Sequence, residues 1–69
     1  MSMYDDEIAL AEQHVRQAQD IVARHRERVV HLESIGADTL SARQTLDVFE
    51  TSLRIFQGHR DYLKRRDPK

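Results

Sequence analysis

Small and apolar residues recur through the first half of the chain at Tyr4, Ile8, Ala11, Val15, Ala18, Val22, Val29 and Leu32, with His25 completing the row. The steps alternate between four and three. That alternation keeps one narrow stripe on a helix and gives a heptad seam. It predicts a first helix over about residues 3–35. A second row, Ala42, Leu46, Phe49, Leu53, Phe56, Arg60 and Leu63, repeats the same steps. It predicts a second helix over about residues 39–65. The alternation expected of strands is absent, so the fold class is all-α.

Punctuation between the rows is sparse. Gly36 is the first of only two glycines and fits a left-handed helix end. Ser2 and Asp5 match a capping pattern at the first helix start. Asp38 or Thr39 is placed to cap the second helix, with Ser41 and Gln44 as a later candidate. Gly58 falls inside the second helix at a cost of about 1 kcal/mol relative to alanine. It either avoids a close neighbour or marks a fray point, and Pro68 follows in the tail. The short connection folds the helices back as an antiparallel hairpin, each arm roughly 40–50 Å long. Positions whose numbers add to about 74 should then meet across the seam. That register sets Ala11 beside Leu63, Ala18 beside Phe56, Val22 beside Leu53, Val29 beside Leu46 and Leu32 beside Ala42, large against small.

The pattern leaves apolar residues over. On the second helix Val48, Ile55 and Tyr62 share a further stripe with Thr45, Ser52 and His59. On the first, Leu10, His14, Ile21, Arg24, Arg28, His31 and Ile35 form a weaker one. A chain of 69 residues is a single domain and a marginal one. Without cysteine it has no disulfide to brace it. Self-association is therefore expected, as a dimer of hairpins closing a four-helix bundle, with Ile21, Val48, Ile55 and Tyr62 as the self-association or partner face.

Charge changes this picture only locally. The net charge is −1, so no global pull toward polyanions operates. Asp5, Asp6 and Glu7 lie opposite Arg65, Arg66 and Lys69 in the hairpin register, and suit the helix dipoles. Glu12–Arg16, Asp20–Arg24, Glu27–His31 and Glu50–Arg54 have the spacing of pairs along one helix. The acidic start is unlike a secretory leader and no segment is apolar enough to span a bilayer, so a cytoplasmic location is expected.

Candidate chemistry is thin. No nucleophilic cysteine, phosphate-binding loop or H-E-x-x-H occurs, so no enzyme and no cofactor are expected. His14 and His59 fall side by side in the register, but two ligands fall short of a zinc site, and no metal is expected. His25 faces Phe49 from within the seam, where a histidine serves packing and register and is also a candidate pH-sensitive residue. Arg24, Arg28 and His31 share an outer face and form a candidate nucleic-acid patch. Asp20 and Glu27 stand one turn before Arg24 and His31, and no aromatic residue interleaves to stack on bases. The patch nevertheless offers an alternative function. In architecture such a dimer is similar to the plasmid copy-number regulator Rop, an antiparallel dimer of helical hairpins that binds paired RNA loops.

"AEQHV" at 11–15, "GADTLSA" at 36–42, "FETSL" at 49–53 and "HRDYL" at 59–63 span most of the chain. Through them it resembles a group of small bacterial helical-hairpin proteins. The resemblance implies the hairpin fold and carries no activity. The function expected is a non-catalytic assembly or adaptor role through helix-face protein–protein contacts.

Overall fold

A computed structural model describes residues 3–66, with side chains from Asp5 to Arg66. Two helices, α1 (Met3–Ser34) and α2 (Leu40–Arg65), pack against each other, and the described residues contain no strand. The hairpin measures 55 × 16 × 12 Å. The helix ends fall within a residue of those the heptads predict. The Ser2 cap, the Tyr4 side chain, Pro68 and Lys69 lie outside the described residues.

Gly36 makes the turn. Its φ of 71° is left-handed, the only such residue described. Around it the Ala37 N–H donates to the Leu32 carbonyl at 2.9 Å and the Gly36 N–H to the Glu33 carbonyl at 3.1 Å. Those two bonds are the Schellman pattern, which satisfies carbonyls that a helix end would otherwise leave open. Two residues on, Asp38 Oδ1 accepts from the Leu40 N–H at 3.0 Å. Thr39 holds the cap position but makes no side-chain cap bond; its Oγ1 accepts from Arg43 Nε at 3.0 Å instead. Ser41 lies inside the first turn of α2 and is no cap. Asp38 reaches the first amide before the chain gets that far.

The seam is the core. Ala11, Val15, Ala18, Val22, Val29 and Leu63 are buried. Ala11 and Leu63 line one hollow, Ala18 and Phe56 a second, Leu32 and Ala42 a third, in keeping with the register read from the heptads. Phe56 departs from a fully packed seam. Ala18 is too small to roof its ring, which tilts against His14 at 5.5 Å and stays 37% exposed. Gly58 is helical and exposed, and a β-carbon there would meet nothing within 4 Å, so it avoids no neighbour.

No described helix is long and apolar enough to cross a membrane.

Candidate association face

The flanks of the seam differ in chemistry. One step beyond Ala11, Ala18, Val22's neighbour His25, and Leu32 come Glu12, Gln19, Arg26 and Glu33. A helical turn carries these four to a single edge of α1. Along it Glu12 meets Lys64 at 2.8 Å, Arg26 meets Glu50 at 2.8 Å, and Glu33 pairs with Arg43. Three cross-helix ion pairs thus run down one face of the hairpin.

These pairs correct the reading of the acids as partners along one helix. Glu12 and Glu50 turn across the hairpin instead of reaching Arg16 and Arg54. Glu27 and His31 form no ion pair, and Arg24 Nε approaches the Asp20 carbonyl at 3.5 Å, away from the carboxylate. A carboxylate at the seam edge is as close to the facing helix as to its own next turn, and the facing base is held by packing. Glu12 carries the electrostatic signature. The hydrogen bond and charge of Lys64 hold its carboxyl below the ordinary value of 4.5, with Arg16 and Arg60 adding to the effect and desolvation opposing it.

The opposite face is built from Leu10, His14, Gln17 and Ile21 on α1 and from Val48, Phe49, Ser52, Ile55, Phe56, His59 and Tyr62 on α2. A chain of shallow hollows runs along it, from Glu7, His14, His59 and Arg66 near the chain ends to Arg28, Asp38 and Thr45 near the turn. Large apolar groups stand open to water here: Leu10, Val48, Ile55 and Tyr62 are each more than half exposed. Ile21 is half-buried and lines two of the hollows. At the end nearest the termini Arg66 reaches Glu7 at 2.9 Å and lies over the Tyr62 ring. That is the expected meeting of acidic start and basic end. Arg65 departs from it, its Nε donating to the Asp61 carbonyl at 3.3 Å.

The four histidines, His14, His25, His31 and His59, all belong to this side. His14 and His59 line the same hollow, as their register implied. Among the described residues no group of three or more histidines, cysteines or carboxylates is placed to hold a metal ion. His25 stacks on Phe49, with ring centroids 4.7 Å apart and planes at 21°. Arg24, Arg28 and His31 are exposed on the same side, toward the turn, and make no ion pair among the described residues.

No protein family, curated protein or solved structure matches the chain.

Proposed function

We propose that the protein is a non-catalytic assembly module that works through the apolar face of its hairpin, closing a four-helix bundle as a homodimer. The observation that carries this reading is the contrast between its two faces. Cross-helix ion pairs belong in water, where their charges stay solvated. Val48, Ile55, Tyr62 and Leu10 gain from being covered, at about 25 cal/mol per Å² of apolar surface removed from water. A hairpin with one narrow seam also needs that surface to offset the entropy of ordering its chain. The same composition, with no cysteine, suits the cytoplasm. The kinship offered is with small bacterial helical-hairpin proteins. The test is solution mass by sedimentation equilibrium at micromolar concentration. The expected mass is twice that of the chain; a stable, helical monomer overturns the reading.

A second reading, an RNA-binding hairpin dimer, is favoured by one observation. Arg24 and Arg28 are exposed, and Arg24 turns to the Asp20 main-chain carbonyl and not to its carboxylate. Paired copies would present a short basic strip to phosphates. Binding to looped RNA that weakens steeply with salt, and is lost in Arg24→Ala/Arg28→Ala, would establish it.

A further inference from the structure

We infer that a second copy of this chain covers the apolar face with its turn at the opposite end, about a two-fold axis crossing the helices at the level of Ile55. This specifies the association reading above and rests on it.

Two hairpins can close face to face about a two-fold axis in two ways. With the turns at the same end, the axis runs along the helices and α1 lies on the partner's α2. With the turns at opposite ends, the axis runs across them. Then α1 lies on the partner's α1, and α2 on the partner's α2. The outer rows on this face differ in kind between the helices. On α2 the row is Val48, Ile55 and Tyr62, all apolar or aromatic and open to water. On α1 it is Leu10, Gln17, Arg24 and His31.

Turns at the same end would lay Arg24 against the partner's Val48 and Gln17 against the partner's Ile55. Each contact would desolvate a polar group without giving it a partner. On α2, turns at opposite ends match like with like. Val48 and Tyr62 stand one heptad to either side of Ile55. Reversal about Ile55 therefore sets Ile55 on the partner's Ile55 and Val48 on the partner's Tyr62. The row is complementary to itself only when reversed.

The first helix fits the same choice. The stacked pair His25–Phe49 places the level of Ile55 between Gln17 and Ile21 on α1, and the ion pairs Arg26–Glu50 and Glu12–Lys64 place it at Ile21. Reversal about that level brings Ile21, half-buried and lining two of the hollows, near the partner's Ile21.

The experiment is pulsed electron–electron distance measurement on two single-cysteine variants, Gln44→Cys and Thr51→Cys, each carrying a nitroxide. The chain has no cysteine of its own, and both positions are exposed on the outer side of α2, off the proposed contact. At 1.5 Å per residue, reversal about Ile55 separates the two copies of position 44 by roughly 33 Å along the helix and those of position 51 by roughly 12 Å. The expected result is a label distance at 44 that exceeds that at 51 by ten ångström or more. Equal distances at the two sites overturn the reversed arrangement and leave the dimer standing. No dipolar coupling at either site, with a monomer mass, overturns the association itself.

Discussion

The imidazole of His25 lies nearly flat on Phe49, 4.7 Å between centroids and 21° between planes. The contact joins α1 to α2 midway along the seam, where a coiled coil otherwise carries an aliphatic pair. The charged residues lining the hollows beside the ring come from α1 and the turn, none of them from α2. The hollows beside it are lined by Arg24, Arg28 and Asp38, with Ser41, Ala42, Thr45 and Phe49 from the second helix and its approach. A ring so placed packs one turn of α1 against one turn of α2, and fixing that register is the role to test.

His25→Leu tests that role. Leucine fills a seam position with more apolar surface, and the expected gain is about 1 kcal/mol in thermal or urea unfolding. Packing alone also predicts the same assembly mass in mildly acidic and mildly basic buffer. A mass that changes between them in the parent chain, and not in His25→Leu, would make the ring a switch.

Gly58 offers a cleaner gain. Its exposed place in α2 has open space where a β-carbon would go. Gly58→Ala should stabilise by about 0.5–1 kcal/mol through helix propensity, read as a higher unfolding midpoint with unchanged mass. A loss on substitution would mean that the position touches something in the assembled protein.

Gly36 predicts the opposite sign. A β-carbon there also has room, yet φ is 71°, and a left-handed residue with a side chain costs about 1–2 kcal/mol. Gly36→Ala should therefore lower the unfolding midpoint by that amount, and Gly36→Asn by less, since asparagine tolerates this conformation. Equal effects from the two substitutions would remove backbone strain as the cause.

The heptads made the seam legible because burial enforces their period: Val15, Val22 and Val29 are buried where the spacing put them. Gly36 was legible for a similar reason, since few residues end a helix in that conformation. The ion pairs were not. Glu12 has Arg16 one turn away in sequence and Lys64 across the hairpin, and only the packed distance between helices decides. The start of α2 was half legible. Asp38, Thr39 and Ser41 all have capping chemistry, and the turn geometry after Gly36 hands the first amide to Asp38. The contrast between the faces was hidden too, because it needs both the heptad register and the choice each acid makes.

Ile55 is the side chain on which the association face should depend most. It is 65% exposed in one hairpin and central to the apolar row. Ile55→Asp should halve the mass at micromolar concentration and lower the unfolding midpoint. Thr51→Asp, the same change on the outer side of α2, should do neither. The parent chain's midpoint should also rise with its own concentration, as it does wherever folding and assembly are linked. A midpoint independent of concentration, or a dimer that survives Ile55→Asp, would place the contact elsewhere.

The ion-pair face should respond to pH and salt, through Glu12 above all. Lys64 holds the Glu12 carboxyl below its ordinary value of 4.5 by a hydrogen bond and by its charge. A carboxyl whose folded value is depressed favours the folded state at any pH above its unfolded value. That contribution fades as pH falls through the depressed value, once the group is protonated in both states. Lys64→Met keeps most of the side-chain stem and removes the charge. It should lower the unfolding midpoint slightly near neutral pH and leave it unchanged in strong acid. Added salt should shrink the difference, because both partners are well exposed. In a carbon-detected titration the Glu12 carboxyl of the parent chain should protonate at lower pH than in Lys64→Met. Coincident titrations in the two proteins would show that the contact is not kept in solution.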